Sequence, residues 1–266
     1  MDNFFFGKWF RLNEAATIEY QESLLASFLL KRITEALKSF FADNRRESLP
    51  HYLSKILTGV VKGDTGEFPV PANIGRTTLS SEFNGWKLVL YPVSNGTFAF
   101  AGNEKIGLPY DSNVLKNAQK FDDRSVSMML DRMDDQLVHE CSHISTSKTG
   151  EDATIKGKPY WDKFEKGSPE YAEAQIRYYS DPGEVRAHAK QYANIYRKNY
   201  GDRFDKNNLE KMSWDLNDNK LYRYVHRLRD SSVQKQFPQL AERMSKAYAD
   251  FVKTVEYFLN AGSVSF

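Results

Sequence analysis

The sequence contains a single cysteine, Cys141, so no disulfide can form within the chain. This excludes the small disulfide-stapled secreted domains and favours a cytoplasmic protein, with secretion of a disulfide-free protein by another route as the alternative. No run approaches the ~20 apolar residues that span a bilayer. The partly apolar start, MDNFFFGKWF, is interrupted by Asp2 and Lys8 and is too short for a signal peptide. We therefore expect neither a signal peptide nor a membrane partner.

The sequence also lacks an excess of charge of one sign, because it contains 37 Lys and Arg and 35 Asp and Glu. This balance does not require a polyanionic partner. One stretch, KLYRYVHRLR at 220–229, alternates Arg with Tyr and His, a pattern that suits phosphate contacts and base stacking. A solvated helix face explains the same pattern more simply. Nucleic acid is therefore only an alternative partner.

The period of the apolar residues predicts a mainly helical α+β protein with a small, partly antiparallel sheet. Helices are expected at 13–42, 50–58, 123–144, 180–198 and 238–259. Asn13 is a plausible N-cap of the first helix and Asp43-Asn44 a plausible stop, while Asp122 or Asp123 caps the third.

The strand-like segments lie between the second and third helices. WKLVLYPV (86–93) and TFAFA (97–101) flank Asn95-Gly96, which predicts a hairpin, and 105–110 is a third strand. Pro92 cannot donate a hydrogen bond to a ladder and so indicates an edge strand.

The domain organisation follows from composition. Residues 59–85 are rich in Gly, Pro, Ser and Thr and read as a loop or linker. They separate an N-terminal helical region, 1–58, from a second region, 86–266, unless both form one continuous domain. The polar stretch 145–159 is expected to be an exposed loop, with a lid as the functional alternative.

Histidine is scarce, with five in the chain, yet two stand four residues apart in LVHECSHI. On a helix, His139 and His143 lie on one face, so both imidazoles can reach one ion. Glu140 points to the side, where it can meet a water held by that ion. This His-Glu-x-x-His spacing is typical of zinc peptidases and predicts a Zn²⁺ site.

A catalytic zinc site needs a third protein ligand and leaves its fourth position open. Thr146 and Thr149 occupy the positions where the metzincin pattern requires Gly and His, which rejects that class. Glu184, at the start of a later helix, is the best candidate, and Asp181 and His188 are the reserves.

A competing interpretation of Glu184 needs no metal. If Asp181 is the N-cap and Pro182 the first helical residue, Glu184 falls at the third position, where a capping-box glutamate is found. The two interpretations differ only in where the carboxylate of Glu184 points.

VHECSHI followed by YYSDPGEVRAHA resembles the gluzincin class of zincin metallopeptidases, in particular small bacterial and phage peptidases, over about twenty residues in two segments. The resemblance implies a zincin-like fold, a Zn²⁺ cofactor and a protein or peptide substrate, held in many zincins as an added strand. Two positions depart from the pattern: Ser145 replaces an apolar residue, and His188 replaces the aspartate of some gluzincins.

The mechanism implied is hydrolysis of peptide bonds by a zinc-bound water, with Glu140 as general base. Tyr178, Tyr179 and His188 lie near the supposed third ligand and are candidate donors to the oxyanion. The alternative is a non-catalytic, zinc-stabilised interaction protein. Structural zinc sites usually use cysteine, however, and this chain has none to spare.

Overall fold

The computed structural model describes residues 3–58, 67–93, 99–145, 154–155, 158–159, 163–166, 168–215 and 231–260. The chain divides into two compact units, Met1–Ser145 and Thr146–Phe266. Helices and a small sheet are segregated along the chain, which makes the fold class α+β, as predicted. In the part of the chain that is described, no helix combines the length and the apolar character needed to cross a bilayer.

The described residues of the first unit form four helices, which are α1 (Asn3–Ala42), α2 (Leu49–Thr58), α3 (Ser112–Asn117) and α4 (Arg124–Ser142). The prediction that Asn13 caps α1 is wrong, because the helix starts at Asn3. No proline lies between residues 3 and 42 to break the helix. The predicted stop is confirmed, since Asn44 follows the end of α1 with a left-handed φ of 51°.

A four-stranded sheet lies between α2 and α3 in the sequence. Its strands are β1 (Glu67–Pro69), β4 (Lys87–Val93), β5 (Phe100–Gly102) and β6 (Lys105–Asp111), and a separate ladder joins β2 (Asn73–Ile74) to β3 (Thr77–Thr78). The order in space is β1-β4-β6-β5, with β4 and β6 parallel and both outer pairs antiparallel. The sheet is therefore mixed.

The predicted hairpin between 86–93 and 97–101 is wrong, because β6 lies between β4 and β5. The tight turn is instead Asn103-Glu104, which joins β5 to β6. Both residues have positive φ, 51° and 58°, as a type I′ turn requires. Asn95-Gly96 lies outside the described residues.

Pro92 does not mark an edge strand, because β4 is interior to the sheet. Pro92 stands opposite Tyr110 of β6. On the other side, β1 pairs only with Lys87–Val89, so the described chain places no strand beside Pro92 there. A missing N–H is tolerated at such a position.

Residues 67–85, expected to be part of a loop or linker, contribute to the core of the first unit. They form β1, β2, β3 and a 3-10 turn at Ser81–Phe83. Phe68, Leu79 and Phe83 are buried in that core. The chain accordingly divides after Ser145 and not within 59–85.

The core of the first unit holds α4 in place. α1 carries apolar residues at helical spacing, of which Ile18 is half-buried and the others are buried, namely Leu25, Leu29, Ile33, Leu37 and Phe40. α1 packs against α2 and α4, and α4 also packs against β6. Met133, Leu137 and Cys141 of α4 belong to the same core. The carboxyl end of α4, which carries LVHECSHI, is therefore fixed by tertiary packing.

The second unit is built from helices with a core of its own. They are α5 (Pro169–Tyr179), α6 (Pro182–Tyr200), α7 (Lys206–Asp215), α8 (Ser231–Gln236) and α9 (Pro238–Asn260), so the predicted helices at 180–198 and 238–259 are confirmed. α9 packs mainly against α6, where the ring of Phe251 meets Tyr192 edge-on at 5.2 Å.

Two sequence predictions in the second unit fall largely on undescribed residues. Of the predicted loop 145–159, Ser145 ends the first unit, and only β7 (Thr154–Ile155) and β8 (Lys158–Pro159), paired antiparallel, are described beyond it. The basic and aromatic stretch 220–229 lies wholly outside the described residues.

Candidate metal centre

The two histidines of the motif lie at the carboxyl end of α4. The Asp123 side chain caps the amino end by accepting a hydrogen bond from the Ser125 N–H, so one of the two predicted caps is confirmed. His139 lies in the last turn, and His143 is the C-cap, one residue past the end. Its φ of −78° and ψ of −16° are still helical. His143 therefore continues the spiral and stays on the face of His139.

The two imidazoles are close enough to share one ion. Their Nε2 atoms are 3.2 Å apart, and their ring centroids are separated by 4.9 Å at an interplanar angle of 72°. Two nitrogen ligands of a tetrahedral zinc, each 2.0–2.1 Å from the metal, lie about 3.3 Å apart. His139 and His143 are only 8% and 5% exposed. Geometry and burial therefore both fit a bound divalent cation.

Glu140 adds a carboxylate to this pair without being on the same helical face. It is 7% exposed, and one ligand atom from each of His139, Glu140 and His143 lies within 4.8 Å of the others. Glu140 stands about 100° around the helix from His139. The cluster thus combines two ring nitrogens for a cation with an acid at its side.

Tyr91 of β4 interacts electrostatically with Glu140. The sequence analysis did not identify Tyr91 as a residue of the site. Burial, and secondarily the negative charge of Glu140, raise the pKa of Tyr91 to about 12. Its ring also stacks on Phe100 of β5, at a centroid distance of 6.2 Å. Tyr91 belongs to no motif and is distant from LVHECSHI in sequence, so only the fold could reveal it.

We expect Tyr91 of the metal-free protein to titrate near pH 12, against 10.0 for an ordinary tyrosine. Because the pKa of the folded state is the higher one, the stability contributed by the neutral phenol is present below pH 10 and is lost as the pH approaches 12. Glu140→Gln should lower this pKa only in part, because burial remains. Ultraviolet difference titration against Tyr91→Phe measures both values. An unchanged Tyr91 pKa in Glu140→Gln would show that the charge of Glu140 does not act on Tyr91.

In the second unit, the amino end of α6 positions Glu184. The Asp181 side chain is the N-cap and accepts from the Gly183 N–H at 2.9 Å, with Pro182 as the first helical residue. In a capping box, the Glu184 carboxylate would accept a hydrogen bond from the Asp181 N–H. That N–H donates instead to the Tyr178 carbonyl at 2.9 Å. The capping-box interpretation of Glu184 is therefore not supported.

Glu184 and His188 form a second buried acid–imidazole group. Glu184 Oε2 lies 3.8 Å from His188 Nε2, and both residues are buried in the α6 helix. The ring of Tyr179 lies 6.3 Å from that of His188, and Tyr178 meets Tyr179 edge-on at 5.4 Å. The second unit therefore brings Glu184, His188, Tyr179 and Tyr178 together. Asp181, one of the reserve ligands, acts as the helix cap.

Among the described residues, His51 and Cys141 belong to neither of these groups. The ring of His51 on α2 meets Tyr52 edge-on at 5.9 Å, and no potential metal-binding group in the described chain includes it. His226 lies outside the described residues. Cys141 forms no disulfide and is buried in the core of the first unit, as expected for a small packed residue.

Comparison with known protein families, with curated proteins and with solved structures finds no match. Function must therefore be inferred from the residues of the chain itself.

Proposed function

We propose that the protein is a zinc-dependent metallopeptidase of the zincin type, in which His139 and His143 bind the metal and Glu140 is the general base. The observation that carries this proposal is the pair of buried imidazole Nε2 atoms, 3.2 Å apart, beside a buried carboxylate. A divalent cation bound between the two ring nitrogens would offset part of the cost of burying these polar rings. This pair also has the spacing of the zinc-peptidase motif.

The residues of the cluster divide the chemistry between them. When bound, Zn²⁺ activates a water molecule and polarises the scissile carbonyl. The neutral rings of His139 and His143 hold the ion, so metal binding releases any protons they carry. The Glu140 carboxylate accepts a proton from the attacking water and returns it to the leaving amine. Burial of Glu140 limits competition from bulk solvent for that proton.

We further propose Glu184 as the third ligand, on grounds of coordination chemistry and its local surroundings. Two histidines alone do not make a catalytic zinc site, and carboxylate is a common third donor. The Glu184 carboxylate is not used in a capping box and lies 3.8 Å from His188 Nε2. Such an imidazole partner can orient a ligating carboxylate. His188, Tyr178 and Tyr179 remain the proposed donors to the oxyanion.

A peptide substrate is supported by the sheet of the first unit. β5 pairs with β6 only over Lys105–Gly107. In the described chain, Leu108–Asp111 of β6 has no strand on that side. An extended peptide can add to a strand by main-chain hydrogen bonds, and we propose this stretch of β6 as the place where the substrate adds.

Substitutions at the amino end of α6 test the third ligand. Glu184→Gln should weaken zinc binding by more than about 100-fold and remove cleavage of an unstructured protein substrate, because the amide is a poor zinc ligand. His188→Ala should weaken binding by about 10-fold. Zinc affinity is measured by competition with a chelator.

Asp181→Asn is the matched control, because asparagine keeps an N-cap acceptor while the acid is lost. It should leave zinc affinity unchanged. Loss of zinc in Asp181→Asn, with full retention in Glu184→Gln, would transfer the third ligand to Asp181.

A further inference from the structure

The helix α1 buries two consecutive polar residues beside its apolar stripe. Gln21 is 5% exposed and Glu22 is fully buried, while the buried Leu24 and Leu25 follow after Ser23. A carboxylate removed from water in this way is stable only where donors or cations compensate for its lost hydration. The surroundings of Glu22 therefore bear on what it does.

The Ser145 hydroxyl compensates for part of this loss, because Ser145 Oγ donates to Glu22 Oε1 at 2.6 Å. This distance is typical of a hydroxyl bonded to an ionised carboxylate. Ser145 stands two residues after His143, where the chain leaves α4. The turn itself is tight, since the His143 N–H donates to the Glu140 carbonyl and the Ile144 N–H to the Cys141 carbonyl.

We propose that Glu22 is a positioning residue of the metal site, acting through Ser145 on His143; the inference rests on the proposed function. His143 is a C-cap, and terminal helical turns fray more readily than interior ones. The Glu22–Ser145 hydrogen bond ties this last turn to the long helix α1. It thereby keeps the Nε2 atom of His143 at the 3.2 Å distance from that of His139.

The hydrogen bond to Glu22 also gives a role to Ser145, which stands where the zincin pattern has an apolar residue. An apolar residue at 145 would hold this turn by packing alone, whereas Ser145 anchors it to a buried anion. A buried negative charge near the end of α4 also favours a cation bound there, because Coulomb interactions are strong away from water. Glu22 therefore serves the site by geometry and by charge.

Three substitutions test the two parts of this role. Ser145→Ala removes the donor, and Glu22→Gln keeps an acceptor oxygen but removes the charge. We expect each to weaken zinc binding by about 10-fold, as for other outer contacts of metal ligands. Ser145→Thr keeps a hydroxyl and should retain the wild-type affinity. The d–d spectrum of the Co²⁺-substituted protein should change in Ser145→Ala, because the His143 ring moves.

Gln21→Met is the matched control. Gln21 lies one residue away on α1 and is similarly buried, but its Oε1 accepts from the Ser80 N–H at 2.7 Å, a partner that does not belong to α4. Loss of the Gln21–Ser80 hydrogen bond in Gln21→Met should lower the melting temperature of the apo protein, while zinc affinity and the Co²⁺ spectrum stay unchanged.

The outcomes separate this inference from the function on which it rests. If wild type binds zinc and Glu22→Gln and Ser145→Ala bind it equally well, the positioning role is overturned and the peptidase proposal stands. The same follows if Ser145→Thr loses as much affinity as Ser145→Ala. A wild-type chain that binds neither Zn²⁺ nor Co²⁺ would overturn the proposed function, and this inference with it.

Discussion

Glu140→Gln is expected to abolish peptide hydrolysis while leaving zinc bound. Glutamine has nearly the same shape as glutamate, but its amide cannot accept a proton from water at neutral pH. Loss of a general base typically lowers the rate by about 10²- to 10⁴-fold. The test compares kcat/KM of the zinc-loaded variant and wild type on one peptide substrate. Zinc content is measured on the same samples.

Asp131→Asn provides the matched control for Glu140→Gln. Asp131 is an exposed acid on the same helix, so its substitution removes the same charge away from the cluster. We expect wild-type activity from this variant. A zinc-loaded Glu140→Gln protein that cleaved at the full rate would show that Glu140 is not the base.

His139→Ala and His143→Ala should each eliminate tight zinc binding. Either change leaves one imidazole of a pair whose Nε2 atoms lie 3.2 Å apart. For wild type, zinc at 1,000 times its dissociation constant should stabilise the fold by about 4 kcal/mol, because the ion binds only the folded state. That gain should vanish in both variants. Thermal unfolding with and without zinc measures it, and competition with a chelator gives the affinity.

His51→Ala is the control for these two variants. His51 belongs to the same unit but lies on α2, against the ring of Tyr52. Its removal should leave zinc affinity and zinc-dependent stabilisation as in wild type. Zinc binding that survives in His139→Ala, or is lost equally in His51→Ala, would argue against the histidine pair as the site.

Local signals made the helices and the motif predictable from the sequence. The Asp123 cap and the apolar residues Met133, Leu137 and Cys141 define α4 without reference to other segments. The four-residue spacing then brings His139 and His143 to one face, because a helical turn has 3.6 residues. The amino end of α6 was predictable for the same reason, from Asp181 and Pro182.

Pairing between distant segments was not predictable in this way. The Asn-Gly pair at 95–96 is the stronger turn signal, yet the type I′ turn is formed by Asn103-Glu104, where Glu104 takes a φ of 58°. A positive φ costs free energy in a non-glycine residue such as Glu104. The parallel pairing of β4 with β6 outweighs this cost because it buries apolar side chains of both strands.

The tertiary partners of the site also escaped prediction. Tyr91 and Glu22 are ordinary residues of a strand and a helix when taken alone. Their relation to Glu140 and Ser145 exists only once the sheet and α1 are folded against α4. Residues 67–85 have the composition of a loop, but their few apolar side chains enter the core.

The zinc content of the purified wild-type chain, after dialysis against zinc-free buffer, tests most directly whether His139 and His143 hold one cation together. We predict one zinc ion per chain, and none in the double variant His139→Ala/His143→Ala. A wild-type chain that is folded but retains no more zinc than the double variant would contradict the metal site, and with it the proposed peptidase.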